Sequence, residues 1–186
     1  MNKCEQRKLI KSRLKQLNHG ERLNYSLIIV DKLRRLIHYY KPNNIMSYQP
    51  IQEEVDLTAL NKEFDCFYPV IVGENMISGK SKDYVVNKYG IKEPLIVTDQ
   101  QTQTMDLIIV PLIGFDENNN RLGRGKGYYD RFLKGYVGLK IGVGYECQKL
   151  NNIIVEKSDV KMDIIITERE IYGRNIDEIK KYLGRK

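Results

Sequence analysis

The chain has 186 residues, enough for a single domain with a small helical appendage. Its 31 basic residues against 24 acidic give a formal charge of +7, an excess that suits a polyanionic small ligand or a nucleic acid. Three cysteines without C-x-x-C spacing and only two histidines argue against a zinc site. No apolar run reaches the roughly 20 residues of a membrane span, and charge from Lys3 onward argues against a signal peptide. A cytoplasmic location in a reducing compartment, with no membrane partner, is therefore expected.

In chain order, residues 2–17 read as a short basic helix with Leu9, Ile10, Leu14 and Leu17 on one face; Lys3 and Arg7, four apart, share a side of it. Asn18 followed by Glu21 is a capping-box start for a second helix, which Pro42 ends after Tyr40. Residues 45–48 read as a short strand, and Asp56 as the cap of a helix through Leu60. A strand is expected over 64–71 with Cys66 in the core, edge strands around Met76–Ile77 and over 84–86, and a linker over the polar run 98–104. Residues 106–111 form the most apolar strand, expected at the centre of the sheet. A turn-rich loop over 115–120, a buried strand over 140–145 and a last core strand over 162–167 follow. Residues 175–186 read as an added helical tail on a single domain spanning 1–186. Strands alternating with helical patterns argue for an α/β fold in three layers, a mostly parallel central sheet flanked by helices, with helices at its N-terminus.

The most informative stretch is Arg121-Leu122-Gly123-Arg124-Gly125-Lys126-Gly127-Tyr128-Tyr129-Asp130. Glycine lets backbone N–H groups approach a ligand closely and turn with positive φ, and successive N–H groups in such a turn make an anion-binding nest. Arg124 and Lys126 add full charges, and a helix read over 128–136 would aim its N-terminus at the same point. The spacing is neither a Walker A loop nor a Rossmann fingerprint. From the residues alone it is a phosphate loop of unassigned type, with a solvated glycine-rich turn as the plainer alternative.

With the preceding residues 110–116, this stretch resembles the signature of the 5-formyltetrahydrofolate cyclo-ligase (5,10-methenyltetrahydrofolate synthetase) family. The likeness covers most of the chain. It implies an ATP- and Mg²⁺-dependent closure of 5-formyltetrahydrofolate to the 5,10-methenyl form, through phosphorylation of the formyl oxygen. By the same resemblance, Lys3, Arg7 and residues Arg121 to Tyr129 would meet ATP, with Arg124, Lys126 and Tyr129 closest to the chemistry. Gln49, Glu54, Arg124, Tyr128 and Gln148 would meet the folate, and Asp130 and Asp159 would serve the metal. Ser158, beside Asp159, departs from the residue usual in the family. A monomer acting on a small molecule, without nucleic acid, is expected. The competing readings are a nucleic-acid-binding module built on the basic helix and the Arg/Lys-Gly loop, and another ligand-binding or transferase domain on a similar fold.

Overall fold

A computed structural model describes residues 1–80, 83–88, 90–95, 104–173 and 176–184. The 98–104 run lies outside them except for Thr104.

Two capped helices open the chain. Asn2 and Glu5 form a reciprocal capping box at the start of α1 (Lys3–Leu14), which satisfies N–H groups that a helix start otherwise leaves unpaired. Asn18 and Glu21 do the same for α2 (His19–Tyr40), which ends where Lys41 takes a left-handed conformation, φ 49°, ahead of Pro42. Then come β1 (Ile45–Met46), α3 (Thr58–Glu63), and two antiparallel ribbons, β2 (Tyr68–Val72) with β3 (Asn75–Gly79) and β4 (Tyr84–Val86) with β5 (Lys92–Pro94). After β6 (Leu107–Pro111), a tight hairpin of β7 (Gly114–Phe115) and β8 (Arg121–Leu122) leads into α4 (Tyr128–Phe132). The chain closes with β9 (Leu139–Val143), β10 (Ile164–Ile166), β11 (Ile171–Gly173) and α5 (Ile176–Leu183).

The main sheet runs β1-β6-β9-β10-β11, parallel except for its last strand. Strand side chains alternate between faces, and here the two faces serve two cores. Ile45, Leu107, Ile109, Ile164 and Ile166 point into a layer with α1, α2 and α3. Met46, Ile108, Val110 and Ile165 point into the other, against Met76 of β3 and Phe132 of α4. Ile108, Ile109 and Val110 are fully buried, and transfer of such a side chain from water stabilises by about 1.5–3 kcal/mol. Burial on both faces explains why β6 reads as one unbroken apolar run.

Several expected elements differ in extent. Strand β6 is interior, but β9 holds the middle of the sheet. The 64–71 strand begins at Tyr68 and belongs to the β2–β3 ribbon; only the bridge from Met46 to Phe67 ties it to β1. The last strand is β11, antiparallel to β10, not residues 162–167. Asp56 accepts from Thr58 N–H, one residue ahead of the position assigned it as a cap. The expected helical tail is α5, in which Ile179 is buried and which packs on α2 and β11.

Four parallel strands put their carboxyl ends on one edge, the usual address for a ligand in an open α/β sheet. The loops after β1 and β6 leave from that edge, and α1 lies beside them.

Candidate active site

One wall of the site is the loop from β8 into α4. Gly125 has φ +101° and Gly127 φ +66°, values that a side chain rarely adopts. At Gly125 a Cβ would also stand 3.3 Å from the Arg7 guanidinium, so the bare backbone is what lets α1 dock. Arg7 Nε donates to the Gly123 carbonyl at 2.8 Å. Helix α4, expected over 128–136, spans only Tyr128–Phe132 and is followed by turns. So short a helix gathers little dipole, and the positive charge of the loop comes from Arg124 and Lys126, which line the cavity. Leu122 belongs to the core and its carbonyl accepts from Ile113 N–H, so it spaces the loop.

Arg121 is buried beneath this loop. Its guanidinium donates to Asp130 Oδ2 at 3.0 Å and to the Pro111 carbonyl at 3.4 Å, and lies 5.5 Å from the centre of the Tyr129 ring. The other Asp130 oxygen accepts from Val160 N–H at 3.3 Å, which brings residues 156–160 to the same place. There Lys3 Nζ meets Asp159 at 2.7 Å and Glu156 at 3.2 Å. Burial pulls the Lys3 ammonium pKa down, but hydrogen bonds and charge from Asp159 and Glu156 outweigh it, so the net shift is upward. Lys3, Arg7, Arg121, Asp130 and Asp159, spread across 157 positions of sequence, therefore converge.

The facing wall is the loop after β1. Glu54 Oε2 accepts from Ile51 N–H at 3.2 Å, and Oε1 accepts from Arg124 at 3.0 and 3.3 Å. The Glu54 side chain is only 10% exposed. Burial raises its carboxyl pKa, and the opposing pull of Arg124 and Ile51 N–H does not cancel the rise. Behind it runs a polar chain that sequence reasoning missed. Tyr145 hydroxyl donates to the Glu54 carbonyl at 3.3 Å, Ser26 hydroxyl lies 3.0 Å from that of Tyr145, and Asp56 N–H donates to Ser26 at 3.0 Å. Nothing in the spacing of Ser26 or Tyr145 marks them, because each reads as an ordinary helix or strand residue.

Both walls line one cavity of about 1540 Å³, larger than the roughly 300–1,000 Å³ of a typical single-ligand pocket. Gln49 and Tyr128 line it, as does the exposed Lys126, which forms no ion pair among the described residues. The Tyr129 hydroxyl is buried without a hydrogen-bond partner. Burial first, then the Glu54 charge, push its pKa up against the pull of Arg121, so it remains a protonated donor. A buried unsatisfied hydroxyl on a cavity wall is what a ligand acceptor would relieve. Arg121 Nε is likewise unpartnered.

Gln148 is a correction to the expected folate contacts. It is buried away from the cavity; its amide donates to the carbonyls of Leu112 and Ile113, and its oxygen accepts from Tyr145 N–H. Its amide nitrogen serves the backbone between β6 and β7 and its oxygen the backbone just after β9, so it shapes the site from behind. Cys66 and Cys147 are poor nucleophiles, because burial pushes their thiols up to about 12 and about 11, and no cysteine lines the cavity among the described residues. Among the described residues no three His, Cys, Asp or Glu side chains converge as a metal cage. Asp130 and Asp159, each paired with a cation on the same cavity, form a donor set suited to a hard ion arriving with phosphate oxygens.

The family model described as the 5-formyltetrahydrofolate cyclo-ligase family matches residues 1–168. A mouse protein named 5-formyltetrahydrofolate cyclo-ligase is 29% identical over 182 residues, covering 86% of this chain and 90% of that protein. One of the same name from Mycoplasma pneumoniae is 30% identical over 152 residues, covering 73% and 81%. The solution structure of Aquifex aeolicus 5,10-methenyltetrahydrofolate synthetase superposes with a TM-score of 0.83 at 32% identity, covering 94% of each chain.

Proposed function

The chain belongs to the 5-formyltetrahydrofolate cyclo-ligase family, and from that premise we propose that it is a ligase that uses ATP and Mg²⁺ to close 5-formyltetrahydrofolate to 5,10-methenyltetrahydrofolate, releasing ADP and phosphate. The observation that carries this reading is the two-walled cavity, which sets the glycine loop and its cations opposite the buried Glu54 carboxylate.

In the proposed route the formyl oxygen attacks the γ-phosphorus, forming an O–P bond as the bond to ADP breaks. The N10 lone pair then attacks the activated formyl carbon. Phosphate departs with the formyl oxygen, N10 loses its proton, and the new ring is complete. Both nucleophiles belong to the folate, which agrees with a cavity lining that holds no cysteine among the described residues. Transfer of a phosphoryl group depends mainly on positioning and charge neutralisation.

Lys3, Arg7, Lys126 and the Gly123–Gly127 backbone hold the phosphates in this reading, and Arg121 fixes Asp130. Arg124, lying between the walls, exchanges its carboxylate partner for phosphate oxygens, which frees Glu54 to accept pterin N–H groups. Gln49 and Tyr128 flank the folate. The Tyr129 hydroxyl donates to oxygen at the reacting centre. Mg²⁺, held by Asp130 and Asp159 together with phosphate oxygens, would neutralise charge on the transferring group. The three free cysteines support a reducing cytoplasm, where we expect a monomer.

The test is absorbance: purified protein with 5-formyltetrahydrofolate should form the methenyl chromophore only when ATP and Mg²⁺ are present. Folded protein that gives no product with both overturns the proposal.

A further inference from the structure

Gln6 faces neither solvent nor the cavity. It sits on α1 between Lys3 and Arg7, buried at 2% exposure. Its amide nitrogen donates to the Asn152 carbonyl at 2.7 Å, and its amide oxygen accepts a longer bond of 3.4 Å from Ile154 N–H. The side chain thus pairs with residues 152–154 as a neighbouring strand would. Between those two contacts, Ile153 N–H donates to Asp116 Oδ2 at 2.9 Å. Asp116 is fully buried and also accepts from Asn118 N–H, Asn120 N–H and the Asn120 amide. Residues 152–154 are therefore pinned by α1 on one side and by the β7–β8 turn on the other.

Just past this pin the chain makes the 156–160 turn. Asp159 carboxylate accepts from Glu156 N–H at 2.8 Å, Asp159 N–H donates to the Glu156 carbonyl at 3.0 Å, and Val160 N–H reaches Asp130. The same helix α1 also supplies Lys3 to this turn and Arg7 to the glycine loop.

We propose that Gln6 is a positioning residue for the phosphate side of the site: through residues 152–154 it sets where Asp159 stands relative to Lys3 and Asp130, without touching either ligand. This rests on the proposed nucleotide reading of that wall. A buried glutamine with both ends of its amide committed is costly to strip of partners. Positioning contacts one step behind a ligating carboxylate carry about ten- to a hundredfold in affinity.

The test compares ADP and 5-formyltetrahydrofolate binding by calorimetry, in Mg²⁺, with steady-state kinetics alongside. Gln6→Met keeps length and helix propensity but removes both hydrogen bonds. Its ADP Kd and its KM for ATP should rise about tenfold, while folate Kd and kcat at saturating ATP stay within about twofold. Should Gln6→Met not fold, Gln6→Leu carries the test, since it also removes both hydrogen bonds without setting an acceptor or a charge against the Asn152 carbonyl; the same split is expected. In an Asp159→Asn background the Gln6 change should add less than about twofold, because linked residues are not additive. Folded Gln6 variants with parental ADP affinity, an equal loss for both ligands, or full additivity with Asp159→Asn would each overturn the inference. A parent protein that turns over ATP while the Gln6 variants match it sinks this inference alone. A parent that neither binds ADP nor forms product sinks the proposed function with it.

Discussion

The two walls of the cavity handle charge in opposite ways. On the side proposed for the phosphates, Lys3 with Asp159 and Arg121 with Asp130 are paired before any ligand is considered, and their side chains are no more than 18% exposed. On the facing side, Glu54 sits in a buried place that raises its pKa even with Arg124 against it. Charges on the first wall therefore support the fold as well as any ligand. A charged Glu54 is disfavoured by its burial, a cost that the proposed folate contact would explain. Removing a group from the first wall should damage stability and function together; removing the Glu54 charge should separate them.

The largest expected effect is at Asp130. Asp130→Asn should lower turnover by more than about a hundredfold, a barrier change of about 2.7 kcal/mol, and raise the Mg²⁺ requirement, while folate binding survives. It should also destabilise the fold by up to about 3 kcal/mol, because the buried Arg121 guanidinium loses its charged partner. A Mg²⁺ titration and a urea melt read the two effects; parental saturation with a parental midpoint would reduce Asp130 to a helix-start residue. Asp159→Asn should follow the same pattern more weakly.

Next come the cations of α1. Lys3→Ala or Arg7→Ala should raise the KM for ATP about ten- to a hundredfold, the equivalent of a charged hydrogen bond worth about 1.5–3 kcal/mol. Lys11, exposed one turn beyond Arg7, should tolerate alanine without change. Equal losses for all three would show that the helix acts only through its general charge.

The smallest effect on activity but the sharpest on the comparison is at Glu54. Glu54→Gln should weaken folate binding about tenfold, roughly one hydrogen bond to a charged group, with nucleotide binding unchanged. Its stability change has the opposite sign. The folded pKa lies above the ordinary 4.5, so the folded state favours the protonated carboxyl. That contribution is complete below the unfolded value and is lost as pH rises through the folded one. Glu54→Gln should therefore melt above the parent at neutral pH, with the gain shrinking as pH falls toward about 4.5. A variant that melts lower at neutral pH would show that the Arg124 pair outweighs the burial.

The glycine–cation loop was legible in the sequence because its groups are contiguous: glycines and cations alternate over a few residues, and no packing is needed to see them. Helix α2 was legible from Asn18, Glu21 and Pro42, each a local signal. What was not legible depends on burial. Gln148 reads as a polar residue at a strand end, and only its three backbone contacts show that it faces inward. Gln6 on a basic helix reads as solvent-facing for the same reason. Strands of two residues, such as β7 and β8, are too short for an alternating pattern to appear. The resemblance supplied Glu54, Lys3 and Asp159 as candidates; that they meet across one cavity required the fold.

The account rests on the formyl oxygen standing against the γ-phosphate between these two walls. The direct measurement uses 5-formyltetrahydrofolate labelled with oxygen-18 in the formyl group, turned over with unlabelled ATP, and mass analysis of the phosphate released. Phosphorylation of the formyl oxygen requires one labelled oxygen in each phosphate formed per methenyl product. Unlabelled phosphate, with methenyl product still forming, would contradict the account.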